Sequence, residues 1–131
     1  MILLDTHIWV WWTADSEKLN SRHKAFIGER ESAGLGVSII SCREVAKLYQ
    51  KGKIQFTIPL KDWFEEALSY PNVRILELNT DIIPKSIALS PNFHNDPADQ
   101  LIAATSVVND MPLLTQDKRM QGYSFLNSVK L

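Results

Sequence analysis

Short apolar runs alternate with longer stretches of helical periodicity along this chain, and that alternation restricts its fold more than any other feature. Met1–Leu4, Leu35–Ile40, Val73–Leu78 and Met111–Thr115 are brief, mostly apolar and bounded by polar or turn-forming residues. Such runs predict strands buried on both faces. Between them, Trp9 and Trp12 fall on one helix face just after the first run. Further helices are expected from about Ser21 to Ser32, where Gly34 follows, and from Ser41 to the stop at Gly52. Others are expected over Leu60–Tyr70 and from Asn79 or Thr80 to about Leu89. The last opens at Asp96-Pro97, because proline suits the first helical position. Strands alternating with helices predict an α/β fold, with a central parallel sheet of four to five strands covered on both faces. Ligands of such sheets bind at the carboxyl ends of the strands.

Acidic residues gather at that edge. Asp5 ends the first run and Asp117 follows the fourth. Asp96 stands where an N-cap belongs, and Asp99 falls at the third helical position. Glu44 lies three residues after Ser41 in the S-x-x-E pattern of a capping box. One reading of Asp96, Asp99 and Glu44 is therefore that they only start helices. The other follows from topology. If each helix leaves a strand at its carboxyl end, Asp5, Glu44, Asp99 and Asp117 share one edge and repel one another unless a cation joins them. A hard divalent ion with oxygen ligands, Mg²⁺ or Mn²⁺, fits this set better than zinc. There is a single cysteine, Cys42, and His7, His23 and His94 stand apart from one another. Carboxylates that hold one or two such ions are suited to hydrolysing phosphodiesters. The chain has neither the glycine loop of P-loop nucleotide triphosphatases nor a G-x-S-x-G elbow.

The 131 residues predict one domain, residues 1–131, with a real core. A net charge of −1 gives no overall attraction to nucleic acid, so any contact must be local. Arg43, Lys47 and Lys51, with Lys53 beyond them, could track a phosphate backbone beside the acids. A solvated helix face carrying a Glu44–Lys47 pair is the plainer account. Cys42, Val45, Leu48 and Tyr49 form the expected apolar face of that helix; Ala25, Phe26 and Glu29 share a spacing on the preceding one. Leu101, Ile102, Thr105 and Val108 form the expected face of the last. Trp9 and Trp12 read as core, whereas Trp11 points elsewhere and is a candidate for a partner surface. The tail from Lys118 is expected to add a short edge strand. No apolar run approaches the ~20 residues of a membrane span. No basic segment precedes the first apolar run, and the lone cysteine suits a reducing compartment, so a cytoplasmic protein is expected.

Four pieces of the chain resemble a known family: Leu3-Leu4-Asp5-Thr6-His7, Ser41-Cys42-Arg43-Glu44-Val45-Ala46, Asn95-Asp96-Pro97-Ala98-Asp99-Gln100-Leu101-Ile102-Ala103, and Leu114-Thr115-Gln116-Asp117. In order and spacing they are similar to the PIN-domain ribonucleases, and among these to VapC-type toxins of toxin–antitoxin pairs. The resemblance spans nearly the whole chain. It implies a PIN-like α/β/α sandwich and Mg²⁺- or Mn²⁺-dependent endoribonuclease activity. It also implies that Asp5, Glu44, Asp99 and Asp117 serve as metal ligands or water activators, with Asp96 as an accessory ligand. Thr6 and Thr115 match hydroxyl positions that orient those acids. The family implies a homodimer and a small antitoxin that inserts into the active-site groove. One departure is Gln100, where the late motif often carries arginine after its second aspartate.

The expectation is therefore a metal-dependent ribonuclease toxin with RNA as substrate, a cognate antitoxin as partner and no membrane association. Its rivals are a catalytically silent PIN-like module that binds RNA or protein, and a nuclease directed at DNA.

Overall fold

The four apolar runs do form strands, and every pairing between them is parallel. The computed structural model describes residues 1–131. Strands β1 (Ile2–Leu4), β2 (Leu35–Ser38), β3 (Val73–Leu76) and β4 (Leu113–Leu114) make one sheet in the order β3-β2-β1-β4. The helices are α1 (Thr6–Thr13), α2 (Ser21–Arg30), α3 (Ile39–Gln50), α4 (Leu60–Leu68), α5 (Ile82–Ile87), α6 (Pro97–Val108) and α7 (Lys118–Gln121). No helix is long and apolar enough to cross a membrane.

Alternation along β1 divides the core in two. Ile2 and Leu4 pack with Leu35, Val37, Ile8, Trp9, Val45 and Trp63 on one face. Leu3 packs with Leu113, Ile102, Ala103 and Met120 on the other. All three residues of β1 are buried, as a central strand covered on both sides requires. The chain runs outward from β1 through β2 to β3, then crosses back to place β4 on the other side of β1. The order of strands reverses between β1 and β4, and a crevice opens beyond the carboxyl ends at such a point.

Several boundaries differ from expectation, each for a local reason. β2 stops at Ser38, whose hydroxyl accepts the Ile40 N–H at 3.2 Å and so caps α3 three residues before Ser41. Ser41 lies inside the helix, fully buried, and accepts a hydrogen bond from the Thr6 hydroxyl at 2.9 Å. Glu44 consequently stands in the second turn of α3 and closes no capping box. Helix α2 ends at Arg30 and a short 3-10 turn, Glu31–Ala33, carries the chain to Gly34 at φ 104°. Its buried face is His23 and Ile27, not Ala25 and Glu29. On α6, Ala103, Ala104 and Ser106 join Ile102 and Thr105 in the interior, whereas Val108 is exposed. On α3, Tyr49 is exposed. The tail forms α7 and then touches the sheet through one parallel bridge, Leu113 to Ser128, rather than a strand.

Candidate functional site

The five carboxylates reach the site from four parts of the chain, Asp96 and Asp99 sharing the start of α6. Asp5 leaves the end of β1 and caps α1, its Oδ1 accepting the Thr6 N–H at 2.8 Å. Its Oδ2 accepts the Thr115 hydroxyl at 2.6 Å, across the β1–β4 boundary. Thr115 Oγ1 in turn accepts the Asp117 N–H at 3.0 Å. One buried hydroxyl thus fixes both acids that follow the paired strands. Asp117 caps α7, accepting the Arg119 N–H at 2.8 Å, and pairs with the Arg119 guanidinium at 3.1 Å. Asp96 caps α6 by accepting the Asp99 N–H at 3.1 Å. Asp99 is itself no cap; its Oδ2 lies 2.6 Å from His94 Nε2 and 3.8 Å from Arg119 Nη2. Glu44 projects from the second turn of α3 and meets Lys47 at 3.6 Å.

These five acids line a single cleft of about 400 Å³, together with Thr6, His7, Trp11, Leu48, Gln116 and Arg119. Capping and cleft formation are therefore not rival roles, because Asp5, Asp96 and Asp117 do both. Of the two hydroxyls, Thr115 touches the acids directly. Thr6 contributes its backbone N–H to Asp5 while its hydroxyl turns to Ser41. Arg43, Lys47 and Lys51 do not line the cleft. Trp9 is wholly buried, and Trp11 lies at the cleft wall with its ring 5.5 Å from that of His7.

The cleft strains its own charges. Burial pushes the Asp5 carboxyl above its ordinary range, against the pull of the Thr115 and Thr6 hydrogen bonds and of His7, and Asp117 nearby adds to the rise. Asp99 is raised too, first by burial and then by the charges of Asp5 and Asp96, while its bond to His94 opposes the shift. For Asp117, burial alone would raise the carboxyl. Hydrogen bonds from the Arg119 side chain and from the Arg119 and Met120 N–H groups outweigh it and hold the group low. Arg119 is the only lysine or arginine on the cleft wall, and its side chain is 60% exposed. An ion pair this exposed is weakened by solvent screening, so this cation is easily displaced.

The donor set suits a hard divalent ion: carboxylate oxygens in excess, with no thiolate on the wall. Asp5, Glu44, Asp99 and Asp117 are the residues that could hold it, with Asp96 beside them. As the side chains stand, no three acids, histidines or cysteines converge on one ion-sized point. Their oxygens are turned instead to Thr115, Lys47, His94 and Arg119.

Residues not anticipated as part of the site are Arg119 and Trp11 on its wall and His94 behind Asp99. His94 is isolated in sequence from other histidines, yet its ring bonds Asp99 directly. The available signal was its position, five residues before Asp99 across a loop that must fold back at the Asp96 cap. Arg119 follows Asp117 by two residues, a spacing at which a capping aspartate and its neighbour meet.

Residues 2–126 match the PIN domain family. The chain is 31% identical over 122 residues to Ribonuclease VapC22 of Mycobacterium tuberculosis, covering 93% of this chain and 91% of that protein. In structure it is similar to VapBC2 from Rickettsia felis bound to a DNA fragment of its promoter, with a TM-score of 0.66 at 18% identity and 96% of both chains covered. It is also similar to a toxin–antitoxin complex from Klebsiella pneumoniae, with a TM-score of 0.61 at 22% identity, covering 95% of this chain and 94% of that one. At such identities the two structures speak for the fold alone. The sequence match, running through all four strands and every cleft acid, carries further: this chain belongs to the PIN-domain family.

Proposed function

We propose that the protein is a Mg²⁺- or Mn²⁺-dependent endoribonuclease and acts as the toxin of a toxin–antitoxin pair. The observation that carries this reading is the cleft wall, where five carboxylates from distant parts of the chain face one exposed arginine. Burial raises Asp5 and Asp99, the neighbouring acids add to the rise, and such crowding is unfavourable without a cation. The relative named a ribonuclease supports RNA as the substrate. The toxin–antitoxin complexes among the structural relatives support a small protein inhibitor as partner. A homodimer belongs to the same reading; Ile83 and Ile87, one turn apart on α5, are both exposed and offer it an apolar surface.

Asp5, Glu44, Asp99 and Asp117 would hold the ion, with Asp96 as an accessory. When bound, it supplies charge neutralisation at the phosphodiester and a lower pKa for the attacking water. The chain's own contribution is order. Thr115 keeps Asp5 and the turn to Asp117 in fixed relation through two hydrogen bonds. Arg119, with its side chain exposed, can leave Asp117 for a non-bridging phosphate oxygen of the substrate. The acid-lined wall would repel a bare phosphate backbone, and a cation held there would offset that charge.

The test compares cleavage of matched RNA and DNA hairpins by the wild type, Asp5→Asn and Asp117→Asn, with Mn²⁺ and with chelator. The reading expects RNA to be cut only with the ion, and a loss of at least about 100-fold in either variant, each still showing a cooperative melting transition in chelator. Undiminished cleavage by the variants, or by the wild type in chelator, would falsify it. A wild type that binds RNA but never cuts it would instead support the silent module, and preference for the DNA hairpin would redirect the substrate.

A further inference from the structure

Asp99 differs from the three capping acids of the cleft in how it is held. Asp5, Asp96 and Asp117 are oriented by backbone N–H groups of the helices they cap. Asp99 has no such tether for its side chain. Its partner is the His94 ring, at 2.6 Å from Nε2 to Oδ2. His94 lies in the loop before α6, where an unsupported imidazole would sample several rotamers and give little orientation to anything it touched.

That loop is supported on four sides. The Tyr123 hydroxyl accepts the His94 backbone N–H at 2.9 Å and lies 2.8 Å from ring Nδ1. The His94 carbonyl accepts the Asp96 N–H at 3.0 Å and the Gln100 side-chain amide at 3.4 Å. Phe93 stacks on both rings, with centroids 4.5 Å from His94 and 4.5 Å from Tyr123. With Nδ1 engaged by the tyrosine hydroxyl, Nε2 is left to carry its proton toward Asp99. The bond to Oδ2 leaves Oδ1 as the oxygen available to the cleft.

We propose that His94, clamped by Tyr123, is a positioning residue that presents Asp99 to the cation of the cleft. This rests on the metal-dependent reading above and assigns His94 no contact with substrate. The Tyr123–His94–Asp99 chain links the tail of the protein to the start of α6, so the residues after Asp117 take part in building the site. Gln100 acquires a role in the same chain: its amide holds the loop carbonyl beside the histidine. Hydrogen-bonded supports of metal-binding groups typically matter by 10–100-fold in affinity or activity.

Calorimetric titration with Mn²⁺ alone, then steady-state cleavage of an RNA hairpin at saturating Mn²⁺, is applied to the wild type, His94→Ala, His94→Gln and Tyr123→Phe, with a melting curve for each. The glutamine amide reaches the place of Nε2 and can donate to Asp99. The expected result is a loss of about tenfold or more in Mn²⁺ affinity and in kcat for His94→Ala, with KM within about twofold. Most of this should return in His94→Gln, and Tyr123→Phe should show a smaller loss of the same kind. Wild-type Mn²⁺ affinity and kcat in a folded His94→Ala would overturn the proposal. So would His94→Gln as impaired as His94→Ala while its melting temperature is that of the wild type. Should His94→Ala fail to fold, Tyr123→Phe and His94→Gln decide the matter: wild-type Mn²⁺ affinity in Tyr123→Phe overturns it. A wild type that neither binds Mn²⁺ nor cuts RNA would remove the underlying reading as well, which separates the two failures.

Discussion

Thr115 concentrates more of the site in one side chain than any of the acids does. Its hydroxyl donates to Asp5 and accepts from the Asp117 backbone, and the residue is fully buried. Thr115→Val keeps the shape and removes both bonds. It leaves a buried carboxylate oxygen without its donor, which costs on the order of 1–3 kcal/mol. Denaturant unfolding should show a loss in that range, accompanied by weakened cleavage; unchanged stability would mean that Asp5 finds another donor. Thr115 also shows what can be read from residues alone. Its place two residues before Asp117 in the last of the four motif pieces marks it, but its bond to Asp5, 110 positions away, exists only because β4 lies beside β1. His94 went unread for a related reason: its function lies in contacts to Asp99 and Tyr123, not in a ligand spacing.

Elements show a similar division. Those whose ends carry an unambiguous stop or start were legible: α6 begins at Pro97 behind its Asp96 cap, as expected. The start of α3 was not, because Ser38 and Ser41 are both capable caps and only tertiary packing decides between them. Ser38 ends the strand and caps the helix, which releases Ser41 to bond Thr6 in the interior. The buried face of α2 was missed because it includes a histidine. His23 sits in the first turn, its backbone N–H and ring Nδ1 both directed to the Asn20 Oδ1, at 2.8 and 2.6 Å. Its Nε2 is buried without a partner and serves only as an unprotonated nitrogen. Burial lowers the pKa of this imidazole below its ordinary value of 6.5. The unfolded chain then binds more protons than the folded one between the two values, so the stability of a neutral His23 is fully present above pH 6.5 and declines as pH falls toward the folded value. His23→Gln should flatten that part of the stability profile measured by urea unfolding between pH 7.5 and about 5. An identical slope in wild type and variant would assign the dependence to other groups.

At the scale of the whole molecule, the strand order matters most. Crossing back from β3 to place β4 beside β1 opens the crevice at the one point where Asp5 and Asp117 both follow strands. The parallel α/β class and the convergence of the acids were legible, because strand and helix alternate and acids follow the strands. The orientation of the carboxylates was not, since hydrogen bonds to Thr115, His94 and Arg119 depend on neighbours remote in sequence or on loop geometry. A cation that binds the folded cleft and not the unfolded chain stabilises the fold by mass action, about 2.7 kcal/mol at a hundredfold excess over its Kd. For a domain of this length that raises the melting temperature by on the order of 10 °C. The central claim meets its most direct test in calorimetric titration of Mn²⁺ into the wild type, Asp5→Asn and Asp117→Asn. Saturable binding in the wild type, weakened in both variants although their altered residues are far apart in the chain, is the predicted result. Absence of saturable binding to the folded wild type, or variants that bind as tightly as it does, would contradict a cation held jointly by these acids.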